Sequence, residues 1–232
     1  MAHVFSFVSI HPHFLAAHGE FGTFYWAKKR GRATFNFINL RDYGSGKHHR
    51  VDDRPYGGGD GMLLRPEPLA QATRELQART PHLINKVIFP TPQGKVFTQT
   101  QAADLGQQPD THFIFVCGRF GGADERWIRK YVDLELSLGD FVLAGGELPA
   151  LAITEAILRT LPDVLGNQES CAHDSFGTQL NGRLEGAAYT RPEVFEGESV
   201  PATLLSGNHA HIRDWRQAQS EQATFIKRPD LL

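Results

Sequence analysis

The segment His112–Cys117 reads HFIFVC, apolar at nearly every position, and runs straight into the glycine-bearing turn GRFGG. A strand with one wet face alternates apolar and polar residues. An unbroken apolar run marks instead a strand covered on both faces, as in a parallel sheet between layers of helices. Around this run the chain alternates. Strand candidates at Phe5–Ile10, Thr34–Leu40, Val87–Phe89 and Phe141–Ala144 are interleaved with helix candidates at His13–Lys29, Pro68–Ala78, Thr100–Leu105, Asp124–Val132 and Pro149–Leu161. Pro149 suits the first turn of its helix, where a missing N–H has no intrahelical partner. The expected class is α/β, an open parallel sheet with flanking helices.

Two segments interrupt the alternation. Arg41–Arg65 is polar and rich in glycine, and a loop of that length inside a compact domain is usually functional or disordered. Gly166–Asp174 (GNQESCAHD) follows a helix ended near Pro162 and reads as a linker. Beyond it the alternation stops, and one helix is expected near Asn208–Thr224. The expected organisation is an α/β domain over residues 1–165, a linker over 166–173 and a small helical domain over 174–232. The only two cysteines, Cys117 and Cys171, suit a reducing compartment, Cys117 as a small buried residue. No apolar run approaches the ~18 residues of a membrane span, and the first residues carry no cationic export signal. A cytoplasmic location is expected. Net charge is -2, yet Trp26–Arg54 holds eight Lys or Arg against three acids. That local field can attract phosphates, or it can be an ordinary solvated basic face.

Several chemistries are excluded by their motifs. No dinucleotide fingerprint, phosphate-binding P-loop, nucleophile elbow or H-E-x-x-H occurs. The eleven histidines are scattered without a third ligand at useful spacing, so no metal site is expected and surface or loop positions are. What remains is a set of glycine-bearing turns at strand ends: TPQG (Thr91–Gly94), Gly118–Gly122, and LGDFVLAGGELPA, with Gly139 before the Phe141–Ala144 candidate and Gly145 and Gly146 after it. Ligands of open α/β sheets bind outside the carboxyl ends of strands, and glycine there brings backbone groups up to a ligand with no Cβ in the way. One such turn is more often just a tight turn. Three together favour a site able to enclose a purine and its sugar.

Longer strings carry a resemblance. VDDRPYGGGDGM (Val51–Met62), TPQG, VCGRFGGADER (Val116–Arg126), LGDFVLAGGELPA (Leu138–Ala150), DSF (Asp174–Phe176), YTRPEV (Tyr189–Val194) and LLSGNHAHIRDWR (Leu204–Arg216) are collinear from about Ile10 onward. They resemble the TrmD family of bacterial tRNA (guanine-N1-)-methyltransferases. The resemblance implies a SPOUT-type α/β domain with a deep trefoil knot, a small C-terminal helical tRNA-binding domain and a homodimer. The implied reaction moves a methyl group from S-adenosylmethionine to N1 of the guanine 3′-adjacent to the anticodon of tRNA (position 37), with Mg2+ as an additional ion the family allows. The methyl donor would be held by Phe89, Pro90, Gly118, Gly122, Leu138, Gly139, Asp140, Phe141, Val142, Leu143, Gly145, Gly146 and Pro149.

By the same resemblance Asp174 is the general base and Arg159 the essential arginine, while His48, Asp52, Arg54, Gly57, Gly58 and Gly59 shape the guanine site. Guanine N1 holds a proton at neutral pH, so a base must take it as the methyl arrives. Read without the family, Asp174 is an ordinary helix N-cap and Arg159 an exposed helix arginine. The chain departs from the family at Gly121, where glutamate is usual, at Phe120, where tyrosine is usual, and at Pro90, where leucine is usual. The competing expectations are a SPOUT methyltransferase for another RNA and an RNA-binding relative with weak catalysis.

Overall fold

The structure, a computed structural model, describes residues 2–166 and 172–232, and the chain divides into two compact units, Met1–Gly166 and Asn167–Leu232. Residues 167–171, which include Cys171 and most of the expected linker, lie outside the described residues.

The first unit is built on one five-stranded parallel sheet. Its strands are β1 (His3–Ser9), β2 (Ala33–Asn39), β5 (Ile84–Val96), β6 (Thr111–Val116) and β7 (Leu134–Ser137), in the order β2-β1-β6-β5-β7. Two-residue strands β3 (Asp52–Asp53) and β4 (Leu63–Leu64) pair with each other within the long glycine-rich segment. Every residue of β6 is buried, as its unbroken apolar run requires. Side chains alternate across the sheet plane, so Phe5 and Phe7 face one layer while Val8, Ile114 and Val116 face the other. On the first face phenylalanines stack across three strands: Phe5 lies 5.7 Å from Phe35 and 5.2 Å from Phe113, and Phe7 lies 5.5 Å from both Phe37 and Phe115. Helices α1 (Pro12–His18), α2 (Gly22–Lys29), α4 (Gln99–Gly106) and α6 (Glu147–Thr160) cover that face. Helices α3 (Pro66–Arg79) and α5 (Glu125–Tyr131) cover the other, over Leu69, Leu76 and Trp127. In α6 the buried positions Ala150, Leu151, Ile153, Thr154, Ile157 and Leu158 follow the helical period and form one stripe.

Three expectations are corrected. The fifth strand is β7, not Phe141–Ala144. Phe141, Val142 and Leu143 are 54%, 83% and 39% exposed and belong to a loop, whereas Leu136 and Ser137 are buried in the sheet. The apolar run FVLA lines a cavity rather than a core. The single helix expected over His13–Lys29 is two, because Gly22 opens α2 at φ +56°, a value no continuous helix holds. Finally, not all histidines are superficial: His3 and His112 are 2% and 1% exposed inside the sheet.

In the second unit, α8 (His209–Lys227) starts on Asn208, whose side chain accepts from the backbone N–H groups of Ala210 and His211. Leu184 N–H donates to Thr224 Oγ1 at 3.0 Å, and Ser220 Oγ donates to the Leu184 carbonyl, tying an extended stretch to the helix. A two-residue hairpin, β8 (Val194–Phe195) with β9 (Glu198–Ser199), and the short helix α7 (Ala202–Leu205) complete it. Among its described residues only Gly177, Ser220 and Thr224 are buried, so no apolar core forms within this unit alone.

Candidate functional site

The carboxyl ends of three neighbouring strands, β6, β5 and β7, open into one cavity of about 310 Å³. Ligand pockets commonly measure about 300–1,000 Å³. Its walls come from three segments. β5 contributes Phe89 and Pro90 and then Thr91, Pro92 and Gln93, which lie where the ladder to β7 slips register between Pro90 and Lys95. The turn after β6 contributes Gly118 through Gly122, and the loop after β7 contributes Leu138, Gly139, Phe141 through Gly146, then Pro149 from α6. The loop after β7 reaches past β5 to the turn after β6, where Gly145 pairs with Arg119 and the Gly146 N–H donates to the Gly118 carbonyl at 2.9 Å. That approach explains Gly146: a Cβ there would stand 2.9 Å from Cys117 Cα and 3.0 Å from Gly118 N. Any side chain would push the two segments apart.

Twelve of the thirteen residues expected around the methyl donor line this cavity: only Asp140 does not, and it is exposed. The sequence reading missed Arg119 and Glu147. Glu147, first residue of α6, is 3% exposed; its carboxylate accepts from Ser9 Oγ at 2.7 Å and from Arg119 Nε at 3.2 Å. Cys117, behind the cavity, is 1% exposed and its thiol is pushed well above the usual range, first by burial and then by the nearby Glu147 charge. It is a packing residue, not a nucleophile. Exposed apolar side chains Phe120, Phe141, Val142 and Leu143 stand around backbone-lined glycine turns, a lining suited to a flat ring with polar edges.

The long glycine-rich segment ends beside this cavity. Gly121 N–H donates to the Met62 carbonyl at 2.8 Å, Leu64 N–H to the Gly122 carbonyl at 2.9 Å, and Asp124 N–H to the Leu64 carbonyl at 3.0 Å. Gly121 has little room: a Cβ would lie 3.2 Å from the Met62 oxygen. Farther along, Gly57, Gly58 and Gly59 hold φ of +85°, +80° and +109° in succession, a path that side-chain-bearing residues rarely follow. His48 and Arg54 are exposed and Asp52 is half-buried in β3. The basic field read from this region is partly cancelled: Lys28, Arg32 and Arg50 pair with Glu20, Asp163 and Asp53. Arg30 donates to the carbonyls of Asp163, Val164 and Leu165.

Arg159 is half-buried near the end of α6. Asp174, in the second unit, does not cap a helix. It opens a turn closed by the Gly177 N–H on its own carbonyl at 2.9 Å. With His173, Tyr189, Arg191, Trp215 and Arg216 it lines a groove of about 1290 Å³. Trp215 is half-buried in that groove with its ring 6.2 Å from Tyr189.

Known proteins resemble this chain over nearly its full length. Residues 3–232 match the family described as tRNA (Guanine-1)-methyltransferase TrmD. The tRNA (guanine-N(1)-)-methyltransferase of Syntrophotalea carbinolica is 52% identical over 206 residues, covering 89% of this chain and 80% of that protein. The Marinomonas sp. protein of the same name is 46% identical over 98% of this chain and 88% of its own length. That of Bacillus subtilis is 45% identical over 89% and 82%.

Proposed function

The chain belongs to the TrmD family of tRNA (guanine-1)-methyltransferases, and from that premise we propose that it methylates N1 of the guanine on the 3′ side of the anticodon in tRNA, with S-adenosylmethionine as donor. The observation that carries this reading is the glycine-lined cavity at the ends of β5, β6 and β7, assembled by the strings that carry the family resemblance. The turns at Phe89–Gln93, Gly118–Gly122 and Leu138–Gly146 would hold the donor, presenting backbone groups to its adenosyl part. When bound, S-adenosylmethionine supplies a methyl group made electrophilic by its sulfonium.

The chain's own residues do the rest. Asp174 accepts the proton from guanine N1, which makes that nitrogen a nucleophile. A carboxylate is a weak base in water, so close approach and partial desolvation must aid it. Removing that proton pushes negative charge onto O6, and the permanently charged guanidinium of Arg159 offsets it. Asp52, Arg54 and the Gly57–Gly59 turn shape the guanine site, with His48 toward the phosphates. Among the described residues no three His, Cys, Asp or Glu side chains converge to hold a metal ion; Mg2+, as the family allows it, would keep most of its waters and share substrate oxygens.

The finer architecture is part of the same proposal. The path of the β7 loop across to the β6 turn supports a SPOUT-type knot. Residues 174–232, within the second unit and after a linker over 166–173, would be the tRNA-binding domain; the groove there with Arg191 and Arg216 suits phosphate contacts. The second unit buries no large side chain among its described residues, which supports a homodimer in which apolar surface such as Leu205, Phe225 and Ile226 is covered. No helix among the described residues is long and apolar enough to cross a membrane. A tRNA substrate fits the expected cytoplasmic location.

The test is labelled-methyl transfer onto tRNA transcripts that differ only at the target base, run with the wild type and Asp174→Asn. Transfer is expected only where that base is guanine, and Asp174→Asn is expected to abolish turnover while donor affinity stays within about twofold. Transfer indifferent to the base would point to another RNA target. Donor or tRNA binding without transfer would leave an RNA-binding relative, and normal turnover in Asp174→Asn would remove the assigned base.

A further inference from the structure

Glu147 is buried where a carboxylate is costly. Taking an ion pair out of water consumes most of what the mutual attraction returns, and a well-packed apolar pair often serves stability equally well. Stability alone is therefore a weak reason for this one. Its surroundings give a better reason. The carboxylate accepts from Ser9 Oγ and Arg119 Nε. Ser9 closes β1, and its Oγ also accepts the His11 N–H at 2.8 Å, so its single proton is committed to Glu147. Arg119 lines the donor cavity from the turn after β6 and donates through Nη1 to the Ala144 carbonyl at 3.2 Å. The loop after β7 lies directly on the pair: a Cβ added to Gly145 would collide with Glu147 Oε2 and Arg119 Nε.

We propose that Glu147 is a positioning residue for the methyl donor: by fixing Arg119 against Ser9 it clasps the Gly118–Gly122 turn to the Leu138–Gly146 loop, and this holds the cavity in the form that takes S-adenosylmethionine. The inference rests on the cavity being the donor site. Loosening the clasp lets the two walls separate, and apparent affinity then falls in proportion to the fraction of molecules still competent to bind. Chemistry on a saturated enzyme is touched far less, because a filled cavity holds its own walls together.

Calorimetric titration with S-adenosylmethionine, well below the melting temperature, tests this on the full chain and the variants Glu147→Gln, Ser9→Ala, Arg119→Ala and the double Arg119→Ala/Glu147→Gln. Glu147→Gln is expected to weaken binding about tenfold, matching a competent fraction of about one tenth, and kcat at saturating donor is expected to stay within about threefold. Ser9→Ala, which removes one partner and leaves the ion pair, is expected to weaken binding about two- to threefold. In the Arg119→Ala background, Glu147→Gln should add less than about twofold, since contacting residues are not additive. Wild-type affinity in Glu147→Gln with only a lower melting temperature would overturn the proposal. So would the full tenfold loss persisting without Arg119, because Glu147 would then act by another route. Should Glu147→Gln fail to fold, unchanged affinity in Ser9→Ala would count against the clasp. Absence of donor binding by the wild type would instead sink the reading of the cavity itself.

Discussion

His112 sits within β6, 1% exposed, with Nε2 2.7 Å from Ser6 Oγ and Nδ1 2.8 Å from Thr80 Oγ1 and 3.0 Å from Asn85 Oδ1. Burial lowers its pKa from 6.5 to about 4, because no charge compensates a proton there. The unfolded chain therefore takes up a proton near pH 6.5 that the folded chain declines until about pH 4. Stability is lost as pH falls through that window. His3, shifted downward chiefly by its own burial, acts in the same sense. Between pH 7 and pH 5 the wild type should lose about 2 kcal/mol more than His112→Gln does. Urea titrations at the two pH values check this, and parallel losses in both proteins would contradict it.

At the scale of elements, local chemistry sets several boundaries. α4 begins in a capping box: Gln101 N–H donates to Thr98 Oγ1 at 3.4 Å, and Thr98 N–H donates to Gln101 Oε1 at 3.0 Å. Thr98→Ala should lower stability by about 1 kcal/mol in thermal or chemical melts, and an unchanged midpoint would show that the box contributes nothing. Elements with an unambiguous pattern were legible in the sequence. β6 announces itself by six buried residues in a row, and α6 by its periodic apolar stripe. β7 was not legible, because its four residues LELS carry little apolar signal while the nearby FVLA carries much. Hydrophobicity reports burial against something, and at Phe141–Ala144 that something is the inside of a cavity. The glycine turns were legible as one site, since backbone exposure at strand ends is a property of residue type and place. Glu147 was not. A glutamate in a first helical turn is usually a solvated partner of the helix dipole, and nothing local reveals that Ser9, 138 residues away, waits beneath it.

For the whole molecule, the charge distribution supplies only background. The net charge is -2, and three of the eight Lys or Arg of the basic stretch (Lys28, Arg32 and Arg50) are already engaged in ion pairs. Specificity comes from shaped sites, and the central one is a cavity that exists because Gly146 lets the β7 loop lie against the β6 turn. The most direct test is calorimetric titration of S-adenosylmethionine into the wild type and into Gly146→Val, whose side chain would force Cys117 and Gly118 away from that loop. Saturable uptake of one donor per chain is expected for the wild type and none for the variant, with the variant's far-ultraviolet circular dichroism unchanged. A wild type that takes up no donor, or a folded variant that takes it up equally well, would contradict this.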